Sequence, residues 1–167
     1  MVKHKISVRH GGVTPPLKLQ IPLLKQCIRI ALFKEGVDVP CEVNVLVTDD
    51  KGIRKINREF RGIDKPTDVL SFPMYEFTPP GWAHPGADAV DIESGLVPLG
   101  DMVLSAEQID RQARTFEHTR EHETAYLTIH STLHLLGYDH IDEAEEKKHM
   151  REREEAIMEE IGVRKYR

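Results

Sequence analysis

The stretch His130-Ser131-Thr132-Leu133-His134-Leu135-Leu136-Gly137-Tyr138-Asp139-His140 closes the longest apolar helical pattern of the chain. A helix is expected from about Thr119 to Leu136, with Gly137 as its stop. Residues four apart on a helix carry Cβ atoms roughly 6 Å apart on one face. His130 and His134 can therefore reach one ion about 2 Å from each nitrogen. Gly137 can take a positive φ, which ends the helix and lets the chain return His140 as a third ligand. Three imidazoles leave a fourth coordination position open, the arrangement of a catalytic site and not of a closed structural one. A His pair at this spacing is by itself usually a helix face, and the third His behind a helix-ending Gly is what favours a metal over packed core histidines. The residues thus point to one transition-metal ion, zinc by default, used to hydrolyse a bond in a substrate.

Outward from this helix the chain alternates strands and helices of unequal spacing. Lys5 to Arg9 reads as a short edge strand, and Pro15-Pro16 breaks the chain before a helical segment. In that segment Ile21, Leu24, Cys27, Ile28, Ala31 and Leu32 recur at three and four. Glu42 to Thr48 alternates as a strand with one better buried face. Asp49-Asp50 can cap a helix from about Lys51 to Arg61, with Ile53, Ile56 and Phe60 on its apolar side. Asp68 to Met74 is a second core strand. From Tyr75 to about Leu96 or Val97 the chain turns to Pro, Gly, Ala and Asp, a long surface loop of the kind that is functional or mobile. Gly100 to Leu104 resumes a strand, Ser105 with Gln108 opens a helix, and Asp142 with Glu145 opens a last, highly charged helix ending near Gly162. The expectation is a single α+β domain over residues 1–167: a small mixed β-sheet flanked by helices, with the metal-binding His on a helix and the turn after it.

Composition fits that reading. At 167 residues, with 40% apolar and 31% charged residues, the chain is a soluble globular protein of one-domain size. Met1 to His10 lacks the apolar run of a secretory signal, and Thr124 to Tyr138 is too short to span a bilayer, so a cytoplasmic protein without a membrane partner is expected. Cys27 and Cys41 read as small buried thiols. A formal charge of −5 argues against a protein coated in nucleic acid.

The same spacing of three His and one Gly occurs in the zinc-protease pattern H-E-x-x-H-x-x-G-x-x-H, whose Glu is the general base. Ser131 stands at that position here and cannot take a proton from water at neutral pH, so a metalloprotease-like hydrolase is the weaker alternative.

His130 to His140 also resembles the H-G-x-L-H-L-x-G-Y-D-H signature of the YbeY family of metal-dependent endoribonucleases, which act in ribosomal RNA maturation. Asn57 to Pro73 (NREFRGIDKPTDVLSFP) and Gly100-Asp101 agree with that family in the same order. Two departures stand out: Ser131 replaces the usual Gly, and the loop after Tyr75 is longer than the family's usual connection.

The resemblance implies that His130, His134 and His140 ligate Zn2+ or another divalent transition metal, and that His130 and Arg61 carry catalysis. It implies single-stranded RNA as substrate, with no DNA, in the 3′ end maturation of small-subunit ribosomal RNA and in quality control of the ribosome. A rival from another class is a non-catalytic, metal-dependent ribosome-assembly factor.

A guanidinium suits Arg61's implied role, because phosphodiester cleavage builds negative charge on non-bridging oxygens. Lys51, Arg54, Lys55, Arg58, Arg61 and Lys65 recur as one basic stripe able to follow a phosphate backbone. His118 and His122 read as surface or packing residues, Trp82 and His84 as loop anchors, and Asp101 and Asp139 as turn residues or partners of a ligand.

Overall fold

The computed structural model describes residues 2–13, 17–139 and 144–167. Strands β1 (Lys5–His10), β2 (Cys41–Thr48), β3 (Val69–Pro73) and β4 (Val97–Ser105) form one sheet in the order β1-β2-β4-β3. β1, β2 and β4 run parallel and β3 antiparallel, so the sheet is mixed and β3 is an edge. Helices α1 (Ile21–Lys34), α2 (Asp50–Arg61), α3 (Ala106–Thr115), α4 (Arg120–Leu135) and α5 (Ala144–Ile161) complete the α+β domain.

Strand alternation divides the core. Val43, Val45, Val47, Met102 and Leu104 point into the larger cluster, with Leu24, Ile28 and Leu32 of α1, Ile129 and Leu133 of α4, and Met150 and Ile157 of α5. Their neighbours of opposite phase, Leu70 and Val103, face the other side with Ile53 of α2. α4 is buried on most of its surface because it lies between the sheet, α1, α3 and α5. Cys27 and Cys41 are buried free thiols, and among the described residues no helix is long and apolar enough to cross a membrane.

The expected caps form. Asp49 accepts a hydrogen bond from the Gly52 N–H and Ser105 from the Gln108 N–H; Thr119, where no cap is expected, accepts from the His122 N–H. β4 begins at Val97, three residues before the expected start, because Val97 donates its N–H to the Pro40 carbonyl beside β2. The proposed cap at Asp142 lies outside the described residues.

One packing expectation fails. Phe60 shares the helical phase of Ile53 and Ile56 but is 69% exposed. Its ring meets Phe72 on the edge strand, 5.5 Å between centroids, and borders an open groove over the sheet that nothing among the described residues fills.

Gly100 lets α4 lie close to the sheet. Its φ is +143°, and an added Cβ would run into the Phe72 carbonyl oxygen and come within 3.0 Å of Leu135 Cδ2. Gly100→Ala is expected to cost about 2–3 kcal/mol, as overpacking of a tight contact does. A lower urea midpoint at unchanged slope would record it.

Two histidines make the fold sensitive to acid. His4 Nδ1 accepts from the Cys41 N–H at 3.0 Å, and His10 Nε2 accepts from the Leu19 N–H at 3.1 Å. Each bond needs an unprotonated nitrogen. Burial, and then Arg29 for His4 and Lys18 for His10, holds both rings below the usual 6.5. With the folded value depressed, the folded state binds fewer protons than the unfolded chain, so stability is lost as pH falls below about 6.5. Glu123, raised by burial and by Asp68, acts in the opposite sense. The comparison that isolates His4 is His4→Gln, whose amide can still accept from Cys41 but does not titrate. Its urea midpoint should fall less than the wild type's between pH 7.5 and 5.5.

Candidate functional site

α4 carries the site because its buried stripe fixes the rotation of the helix. Ile129 and Leu133 enter the core, and the positions one residue on, His130 and His134, are turned towards the edge strand β3. The two imidazoles meet with Nε2 to Nε2 at 2.9 Å and ring planes nearly perpendicular. Two nitrogens roughly 2 Å from one ion lie roughly 3 Å apart, so this pair fits a shared cation without rearrangement.

The tautomer is set from behind. His130 Nδ1 lies 3.2 Å from Glu154 Oε2 on α5. With the ring neutral and the carboxylate ionised, the Nδ1–H donates to Glu154 and Nε2 keeps its lone pair. Tyr126, one turn before His130, stacks on its ring with centroids 6.0 Å apart. The Tyr126 phenol is pushed upward by burial first and then by the charge of the Glu154 carboxylate.

Gly137 ends the helix at φ +92°, where its N–H bonds to the His134 carbonyl and that of Tyr138 to the Leu133 carbonyl. An added Cβ would lie 2.8 Å from the Phe77 carbonyl oxygen. Tyr138 is buried under this turn, with the Arg153 guanidinium 5.2 Å above its ring and Glu35 against its hydroxyl. Burial and that carboxylate push the phenol up to about 12. The turn is thereby fixed as far as Asp139. His140, the expected third ligand, lies outside the described residues. Among those described, no third His, Cys, Asp or Glu joins His130 and His134 as a ligand group.

Arg61 reaches the same place from the end of α2. Its guanidinium donates 2.6 Å to the Ser71 carbonyl on β3 and lies 5.4 Å above the Phe72 ring. Ser71 is in turn tied to α4, its hydroxyl 2.7 Å from that of Ser131. The residue that departs from the usual Gly thus links the strand holding Arg61 to the helix holding both histidines. Buried Asn57 bonds the Lys65 carbonyl at 2.9 Å and fixes the loop after α2.

Arg61, Ser71, His130, His134 and Asp139 line one cleft of about 700 Å³, walled on its far side by Tyr75 to Thr78 of the long loop. Asp68 and Glu76 also line it, so its acidic groups outnumber its arginine. Asp68 is held by the Val69 N–H and the Gln112 amide. A bound cation would let this cleft accept an anion.

The other candidates fall elsewhere. In the basic stripe Arg54 is bound to Asp64 through two nitrogens, with Arg58 3.9 Å from the same carboxylate. His118 and His122 stack against one another at the start of α4, centroids 4.7 Å apart. Trp82 anchors the loop through its N–H to Asp38 and its ring against Phe77. Asp101 is exposed on the sheet and accepts from Asn44.

Sequence reasoning missed Glu154. The signal was present: Glu154 sits four residues after Met150 and three before Ile157, on the buried rail of a charged helix, where only a partnered carboxylate is tolerated.

Residues 16–162 match the family model described as endoribonuclease YbeY. A Caldanaerobacter subterraneus protein of that name is 46% identical over 143 residues, covering 86% of this chain and 88% of its own length. One from Clostridium botulinum (strain 657) is 43% identical over 147 residues, covering 85% and 88%. A Thermotoga maritima protein whose structure was solved in solution is 30% identical with a TM-score of 0.60, over 93% of this chain and 88% of that one.

Proposed function

This chain belongs to the endoribonuclease YbeY family, and on that premise we propose that it is a zinc-dependent endoribonuclease that cuts single-stranded RNA in ribosomal RNA processing. The observation that carries the reading is the convergence of His130 and His134 Nε2 at 2.9 Å in a cleft that Arg61 also lines.

His130, His134 and His140 would hold the ion. Bound there, zinc supplies Lewis acidity towards a phosphoryl oxygen and a nucleophile at neutral pH, as manganese, iron or nickel could in its place. The protein's own groups do the rest. His130 presents a lone pair because Glu154 takes its Nδ1 hydrogen. Arg61 keeps donors beyond the one given to Ser71 and offers them to non-bridging phosphate oxygens as their charge develops. A cleft of about 700 Å³ has room for bases lifted out of a stack, the form in which unpaired RNA is recognised.

The cellular substrate is the precursor of small-subunit ribosomal RNA, matured at its 3′ end in the cytoplasm on or near the small subunit, with a role in ribosome quality control. The protease alternative lacks the base of its pattern: Ser131 stands in the place of the Glu, its hydroxyl 2.7 Å from that of Ser71.

The test is cleavage of a labelled oligoribonucleotide, unpaired and annealed to its complement, with chelator and with zinc restored. Cleavage confined to the unpaired strand, stopped by chelator and regained with zinc, is expected. Equal cleavage of the duplex, or indifference to chelator, would overturn the reading. Digestion of an unfolded protein instead would mark a peptidase, and ribosome binding without turnover an assembly factor.

A further inference from the structure

The last helix carries a buried carboxylate. Glu154 is only 5% exposed, between Met150 and Ile157 on the inner face of α5. A carboxylate buried there is costly unless it is hydrogen-bonded. Its hydrogen-bond partner is His130 Nδ1, 3.2 Å away, and Tyr126 stacks on the same imidazole. His130 and Tyr126 lie one turn apart on α4, so the buried carboxylate of α5 meets the imidazole from the side away from the cleft, while Tyr126 stays 37% exposed beside it.

We propose that Glu154 is the positioning residue of the metal site. Its carboxylate takes the Nδ1 hydrogen of His130 and so keeps the Nε2 lone pair aimed at the point that His134 also faces. The proposal rests on the metal reading of that His pair and adds to it the group that makes His130 a ligand in advance of the ion. A neutral imidazole in water divides its hydrogen between two nitrogens. A fixed acceptor on one of them removes that choice and the ring rotation with it. α5 thereby becomes part of the site, although none of its residues lines the cleft.

The experiment compares the full chain with Glu154→Gln and Glu154→Ala by two readouts. The first is zinc affinity, measured by competition with a chromophoric chelator. The second is the pair of nitrogen resonances of the His130 imidazole in the metal-free protein. Loss of an outer partner of a metal-bound histidine typically weakens the metal by about 10–100-fold. Glu154→Ala is expected in that range, with Glu154→Gln, which keeps a neutral acceptor, between it and wild type. The wild-type resonances should report hydrogen on Nδ1 alone, and Glu154→Ala should give a tautomer mixture. Zinc affinity within twofold of wild type for Glu154→Gln and Glu154→Ala, or an unchanged tautomer pattern, would overturn the proposal. Should Glu154→Ala fail to fold, Glu154→Gln decides alone: affinity and resonances both unchanged would overturn it. If instead His134→Ala leaves zinc affinity unchanged, the metal reading itself falls, while the metal-free resonances still decide the role of Glu154.

Discussion

His134→Ala is expected to lose zinc and to cleave single-stranded RNA more than ~100-fold more slowly than wild type, with little change in thermal midpoint. The lower bound follows from comparison. Removing an outer partner of a ligand costs up to about 100-fold, and removing the ligand itself leaves His130 as the sole described imidazole at the site. The fold should survive because the apolar burial of α4 rests on Ala125, Leu127, Ile129, Leu133 and Leu135, while His134 lines the cleft. Metal analysis of the purified variant, a melt followed by circular dichroism and a time course on labelled RNA check the three parts. A variant that loses zinc but keeps its cleavage rate would detach the ion from the chemistry.

Arg61→Ala is expected to slow cleavage by about 10²–10³-fold at saturating RNA, the range found when one preorganised donor to a developing oxyanion is removed. The defect should fall on the rate more than on the apparent affinity, because the charge Arg61 meets increases in the transition state. Arg61→Lys should recover only part, since an ammonium cannot reproduce the fork that serves Ser71 and a phosphate together. Zinc content should stay at the wild-type level: Arg61 reaches Ser71 and Phe72, not the histidines. A loss confined to affinity, with the saturated rate intact, would recast Arg61 as a backbone contact only.

The parts of the fold legible in the sequence are those governed by local physics. Asp49 and Ser105 cap helices because the carboxylate and the hydroxyl can each reach an N–H three residues on. Val43, Val45 and Val47 show their buried face by alternation alone. The order β1-β2-β4-β3 was not legible, since it depends on which strands the helices bring together. Phe60 failed for a related reason: its phase on α2 is right, but it borders an open groove over the sheet and stays exposed.

At the site the same division holds. The His130–His134 pair is a consequence of helical spacing and was readable. Arg61 was readable only through the family resemblance, because its approach depends on the antiparallel edge strand β3 and on the Ser71–Ser131 bond beneath it. Glu154 was hidden among the charges of α5, although its place between Met150 and Ile157 marked it.

The central claim, that one zinc ion held by the histidines of this cleft is what cleaves RNA, is tested most directly by stripping the purified protein with chelator and adding zinc back in fractions of an equivalent. At each step the bound metal and the single-turnover cleavage rate of a labelled single strand are measured on the same sample. The account predicts a rate that rises in proportion to bound zinc and levels off at one ion per chain, with His134→Ala flat throughout. A stripped protein that cleaves as fast as the loaded one, or a rate that rises equally in His134→Ala, would contradict it.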